Sequence, residues 1–210
     1  MLNKTKSFVS IALLSFAFST PALALDLKEG TDFQVVTANV QQDNDVRVYF
    51  SFRCWHCATM DSVYAEIAQQ LPKDVCVKKV PVFSPNDKLD ILYTKGFAVA
   101  ESCNKDKEYT QVLFDALKAN EAPQCMNTLT ELLAKELDIE PLEFQKQFMA
   151  KETNDKLHEY MNDIERMKIN AVPAVIIGNQ YQVLPKRVTS FQEYKDLVEN
   201  LVNKKLTEAA

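Results

Sequence analysis

Two cysteines separated by two residues, Cys54-Trp55-His56-Cys57, are the side chains here whose types and spacing can do chemistry together. When both sit on the first turn of a helix, this spacing lets the sulfurs close one disulfide. Such a pair can also exchange: a thiolate attacks a disulfide sulfur, a mixed disulfide forms, and the neighbouring thiol resolves it. The attacking species is the thiolate, so the site needs a feature that stabilises negative sulfur. A static structural disulfide is the plainer use of the same residues. A metal site, with His56 between two thiolates, would need one or two further ligands. The only other histidine, His158, lies far downstream, so no metal is expected.

The elements around the pair supply the missing feature. Residues 46–52, Val-Arg-Val-Tyr-Phe-Ser-Phe, combine β-branched and aromatic side chains and predict a strand. After Cys57, the apolar positions Met60, Val63, Tyr64, Ile67, Ala68 and Leu71 recur at helical spacing and predict a helix that Pro72 ends. The dithiol therefore opens a helix, where unpaired N–H groups and the positive dipole end stabilise a thiolate. A second strand is expected over 75–82, so the three elements form a βαβ unit with parallel strands.

The rest of the chain must be arranged around that unit. A short strand is expected over 34–37, followed by a turn over 39–45. From 85 to 168 the pattern is helix after helix: 87–103, 107–119, one opened by the capping box of Thr128 and Glu131, one opened by Pro141, and 151–167. Some 80 residues of helix exceed a simple crossover and predict an inserted subdomain with its own core. Strands return at 174–177 and 181–184 around Gly178-Asn179, a hairpin signal. A final helix opens with the capping box Ser190-Phe191-Gln192-Glu193. The reading is an α/β chain, βαβ then helices then ββα on a central mixed sheet. Its expected units are 25–84 with 169–210, and an all-helical insertion over 85–168.

Composition removes several functions. The formal charge is −5 with no long basic run, which argues against nucleic acid as a partner. Three glycines, none in a cluster, leave no phosphate-cradling loop and no nucleotide cofactor to argue for. Residues 1–24 begin with Lys4 and Lys6, continue with an apolar run and close on Pro21-Ala-Leu-Ala, the order expected of a cleaved export signal. No later segment approaches the ~20 apolar residues of a spanning helix. An exported chain suits cysteine oxidation, and five cysteines leave at least one unpaired. Cys76, inside the second strand, is expected to be a small buried hydrophobe. Cys103, near a helix end, and Cys125, before a helix start, are candidates for a second, structural disulfide; two separate free thiols are the alternative.

Phe50-Ser51-Phe52-Arg53-Cys54-Trp55-His56-Cys57, followed after the helical stretch by Ala171-Val172-Pro173-Ala174, resembles the DsbA family of periplasmic thiol:disulfide oxidoreductases, with a thioredoxin-like fold. The resemblance spans the chain after the leader. It implies that Cys54 is the exposed nucleophile, Cys57 its buried partner, His56 a group favouring the Cys54 thiolate, and Pro173 a cis-proline facing the dithiol. It implies that Val172 pairs its backbone with an extended substrate. Trp55, on the first helical residues between the cysteines, is expected to be partly exposed as a contact for substrates or the recycling partner, with a core tryptophan as the plainer reading. It also implies a periplasmic monomer without cofactor that passes disulfides to newly exported cysteine-containing proteins and is reoxidised by an inner-membrane quinone-linked protein. Room for the dimerisation domain of the periplasmic isomerases is lacking before the first strand. An isomerase or reductase kept reduced, and a binding protein of the same fold, are the alternatives.

Three positions depart from the family pattern. Trp55 stands where the best-known members have proline. Val48, six residues before Cys54, stands where the family often buries an acid that relays a proton to the second cysteine. Arg53 places a cation directly before Cys54, which is expected to lower the thiol pKa.

Overall fold

Alternation along Val46-Arg47-Val48-Tyr49 sends the two valines to one side of a sheet and Tyr49 to the other, and both sides are covered. The computed structural model describes residues 26–36, 41 and 43–209; the leader expected over 1–24 and part of the turn expected over 39–45 lie outside them. The strands are β1 (Phe33–Val35), β2 (Val46–Phe50), β3 (Val77–Pro81), β4 (Ala174–Ile177) and β5 (Tyr181–Val183). Between them run α1 (Trp55–Gln70) after β2, then α2 (Lys88–Ser102), α3 (Asp106–Lys118), α4 (Met126–Leu137), α5 (Pro141–Met149) and α6 (Lys151–Arg166), all between β3 and β4. The chain closes with α7 (Phe191–Ala209).

The sheet order is β1-β5-β4-β2-β3. β2 and β3 are parallel, as the βαβ pattern requires, with Val48 opposite Lys79. β4 runs antiparallel to β2 and pairs with β5 as a hairpin. Gly178 and Asn179 turn that hairpin with φ of 60° and 55°, values that glycine and asparagine tolerate best. This is a mixed-sheet thioredoxin-like fold with helices between β3 and β4. No helix among the described residues is long and apolar enough to cross a membrane.

One face of the sheet, Val46, Val48, Val175 and Ile177, packs on Val63 and Ile67 of α1 and on Leu197, Val198 and Leu201 of α7. The other face, Tyr49, Val80 and Ile176, packs on Phe97 of α2, Leu113 and Phe114 of α3, Leu129 of α4, Phe144 of α5 and Tyr160 of α6. The helices between β3 and β4 thus share a core with the sheet, where a separate core was expected. The reason is an aromatic cluster: Phe50 and Phe52, with ring centroids 5.0 Å apart, reach Phe97 and Tyr109 at 5.7 Å. Tyr109 crosses α2 at Gly96, where a Cβ would collide with its hydroxyl. That close approach accounts for a glycine inside a helix, which otherwise costs ~1 kcal/mol against alanine. On the same face, Tyr49 donates to Asp163 of α6 at 2.7 Å.

Two local expectations are corrected. Cys76 precedes β3 and is exposed; the chain is still leaving the Pro72–Val75 turn, in which Val75 N–H bonds to Pro72 C=O at 2.9 Å. Helix α4 begins before Thr128: Cys125 is its N-cap, and the Thr128 hydroxyl oxygen accepts the Cys125 N–H at 3.3 Å. At α7, Ser190 caps Glu193 N–H at 3.2 Å, while the Glu193 carboxylate reaches back to Thr189 N–H at 2.7 Å.

Candidate active site

The strand-to-helix turn is held from beneath. Phe52 is buried in the aromatic cluster, which fixes the backbone two residues before Cys54. Cys54 then takes extended angles, φ −103° and ψ 109°, and serves as the N-cap of α1. Its Sγ accepts the Cys57 N–H at 3.4 Å, and its carbonyl accepts the Ala58 N–H at 3.1 Å. Sulfur here takes the place that a serine or aspartate oxygen fills at other helix starts. A thiolate there gains the same N–H and the helix dipole.

The two sulfurs occupy different surroundings. Both are present as free thiols, Cys54 half-buried and Cys57 buried. Burial raises the Cys57 pKa well above the ordinary thiol range, and its hydrogen bond with Cys54 and the negative charges of Cys54 and Asp61 add to the rise. Cys57 is therefore held protonated while Cys54 remains reachable. The Cys54 thiol donates to the Val172 carbonyl at 3.7 Å, and Val172–Pro173 is a cis peptide. The structure thus brings together Cys54, Cys57, Val172 and Pro173 from two ends of the chain.

Trp55 and His56 point outward from the first turn of α1. Trp55 is 70% exposed, and its ring lies 3.7 Å from the His56 ring at 31°. His56 is exposed, and among the described residues it makes no hydrogen bond to either sulfur. Cys103 and Cys125 are not bridged. Each is an exposed free thiol, Cys103 near Gln147 of α5 at 3.9 Å and Cys125 near Thr128 of α4 at 3.6 Å.

The partners of the charged neighbours were not read from sequence. The Arg53 guanidinium binds Asp87 and lies 3.8 Å from Asp90, so the cation expected to lower the Cys54 thiol pKa is engaged by carboxylates. Behind the dithiol, Val48 is buried, and Lys79, opposite it in register, pairs with Asp61 of α1 at 2.6 Å. These side chains are only 11% and 14% exposed. Asp61 sits one helical turn beyond Cys57, on the helix face that also carries Tyr64. A carboxylate spaced by four from a buried cysteine is the signal that would have found it. The pair borders a cleft of about 450 Å³ against α3.

A groove of about 630 Å³ runs beside the redox turn, lined by Pro173, Met60, Tyr64, Val183, Val188 and Phe191 among others. Phe191 is 55% exposed. Apolar walls next to a cis-proline at a strand end suit an extended peptide.

A thioredoxin-like sheet with a dithiol at a helix start, opposite a cis-proline, defines a thiol:disulfide oxidoreductase. A family model described as thioredoxin matches residues 34–199. The thiol:disulfide interchange protein DsbA of Haemophilus influenzae is 24% identical over 191 residues, which cover 90% of this chain and 92% of that protein. The crystal structure of DsbA from Klebsiella pneumoniae superposes with a TM-score of 0.74 at 22% identity, covering 84% of this chain and 96% of that one. Proteus mirabilis DsbA, solved with a non-covalently bound peptide PWATCDS, gives 0.74 at 20% identity, covering 87% and 99%. The chain belongs to the thioredoxin family, as a DsbA family protein.

Proposed function

We propose that this protein is a periplasmic disulfide donor, exported by its leader and acting as a monomer. The observation that carries the reading is the asymmetry of the pair: Cys54 Sγ at a helix N-cap, facing Val172 and the groove at Pro173, with Cys57 buried behind it. In the oxidised form a substrate thiolate attacks Cys54 Sγ and breaks the Cys54–Cys57 bond, releasing the Cys57 sulfur, which takes up a proton. A second substrate thiolate then attacks the substrate sulfur of the mixed disulfide, and Cys54 leaves as a thiolate. Two electrons pass from the substrate to the protein, so the substrate gains a disulfide and the protein becomes the dithiol. Stabilising the reduced form, through the Cys54 thiolate, makes the disulfide the stronger oxidant.

Val172 offers backbone groups to an extended substrate, Trp55 an exposed ring beside the reacting sulfur, and the groove an apolar bed. His56 is given the role of favouring the Cys54 thiolate, as the resemblance implies. The Asp61–Lys79 pair handles the Cys57 proton in the place of the acid that Val48 displaces. The peptide held by the Proteus mirabilis relative contains one cysteine, and newly exported cysteine-containing proteins are the substrates proposed here. Reoxidation falls to an inner-membrane quinone-linked protein. Alkylation of cells under acid quench tests the direction: a donor has Cys54 and Cys57 mainly oxidised at steady state, and a mainly reduced pair would replace this reading with that of an isomerase or reductase.

A further inference from the structure

The cation that precedes the nucleophile is tied to α2 by an arrangement that divides two carboxylates. Asp87 Oδ1 caps α2 by accepting from Leu89 N–H at 2.9 Å and Asp90 N–H at 3.1 Å, which leaves Oδ2 for Arg53. Asp90 Oδ2 accepts from Ser84 N–H at 2.9 Å, which leaves Oδ1 facing the same guanidinium at 3.8 Å. Each carboxylate is fixed by backbone donors before it meets Arg53, so the clamp is set by the start of α2 and not by Arg53 itself. Helix N–H bonds, together with Arg53, hold the Asp87 carboxyl below the usual range, so it stays charged.

We propose that Asp87 and Asp90 hold the Arg53 cation away from Cys54 and thereby set how strongly oxidising the dithiol is. Arg53 and Cys54 are adjacent, with Cα atoms ~3.8 Å apart, so an unclamped guanidinium can turn over the N-cap sulfur. The native arrangement gives that position one cation against two carboxylates, which forgoes the stabilisation that a lone arginine would offer a thiolate. The titratable or charged groups around Cys54 are Arg53, Asp87 and Asp90 on the α2 side, His56 and Cys57 on α1, and Asp61 with Lys79 behind. The inference rests on Cys54 being the exchanging thiol, and it assigns the control of that thiol to the first turn of α2. Asp87 and Asp90 are positioning residues, acting through Arg53.

The experiment is a cycle in the full mature chain: wild type, Asp87→Asn/Asp90→Asn, Arg53→Gln, and the triple variant. Asparagine keeps the N-cap, and Asp90→Asn alone serves should the double variant fold poorly. Cys54 thiolate is followed by ultraviolet absorbance against pH at low ionic strength, where screening is weak, and the dithiol is equilibrated against glutathione buffers. The double variant should raise the thiolate-to-thiol ratio about threefold, the Coulomb effect of one charge at ~7 Å in a water-like dielectric. It should shift the glutathione equilibrium toward reduced protein by a similar factor, and both shifts should be smaller in the Arg53→Gln background. Equal shifts in the two backgrounds, or none, would overturn the proposal. A merely structural clamp would lower stability without moving either readout. Wild type that fails to exchange with glutathione would instead overturn the disulfide-donor reading itself.

Discussion

The two flanks of Cys54 are built from opposite materials. On the Pro173 side the groove is lined by Met60, Tyr64, Val183, Val188, Phe191 and other uncharged residues, with no Asp, Glu, Lys or Arg among them. On the other side and behind stand Arg53 with Asp87 and Asp90, and Asp61 with Lys79. Apolar walls bind a peptide by area and leave the charge balance at the sulfur alone. Fixed charges act on the thiolate and on the Cys57 proton without touching the peptide. Under the proposed function, this difference assigns substrate affinity and redox poise to separate residues, so that each should be changeable without the other.

The largest test of that separation lies behind the dithiol. Asp61→Ala leaves the half-buried Lys79 without its charged partner, and losing a hydrogen bond between charged groups costs about 1.5–3 kcal/mol, read as a lowered midpoint in denaturant. It also removes a negative charge that raises the Cys57 pKa, so the Cys57 thiol in a Cys54→Ala background should titrate at lower pH. An unchanged Cys57 titration would detach Asp61 from the redox chemistry. Next comes the groove. Phe191→Ser with Val188→Ser removes apolar contact worth ~1–2 kcal/mol to a bound peptide, so kcat/KM for a peptide substrate should fall about tenfold. The glutathione equilibrium should not move; a shift in it would merge the two flanks.

The smallest expected effect is in pH dependence. The Cys57 pKa is raised in the folded dithiol above its ordinary value of 9.0, so the unfolded chain gives up this proton first. Its contribution to stability is whole below about pH 9 and is lost as pH rises above that value toward the folded pKa. Unfolding midpoints of the reduced protein measured from pH 8 to 10 should fall more steeply than those of Cys57→Ala. Parallel curves would place the buried thiol in an ordinary environment. Tyr194, pushed up to about 12 by burial, contributes alike to both proteins and cancels.

Local chemistry explains what could be read in advance. Val46 to Phe50, the dithiol at a helix start, the Gly178-Asn179 hairpin and the helices from α2 to α6 are written in short-range periodicity and turn residues. Cys54, Cys57, Val172 and Pro173 were legible as one site only through the resemblance, since nothing in spacing joins residue 54 to residue 172. The charged partners were missed because each pair joins distant segments: Arg53 with Asp87, Lys79 with Asp61. Cys76 was misjudged because the strand begins two residues later than its apolar neighbours suggested, which left the thiol in the preceding turn. A separate core for the helices was a reasonable inference from length, but Phe50 and Phe52 extend the sheet's core into them.

The central claim is that Cys54 is the thiol that meets substrate. Cys57→Ala leaves a mixed disulfide at Cys54 without its resolving partner, so covalent adducts should accumulate in cells and disappear on reduction. Cys76, Cys103 and Cys125 are also exposed free thiols, so the control is Cys54→Ala/Cys57→Ala, which keeps all three. The account predicts adducts in the single variant and none in the double. Equal adducts in both, or none in either, would contradict it.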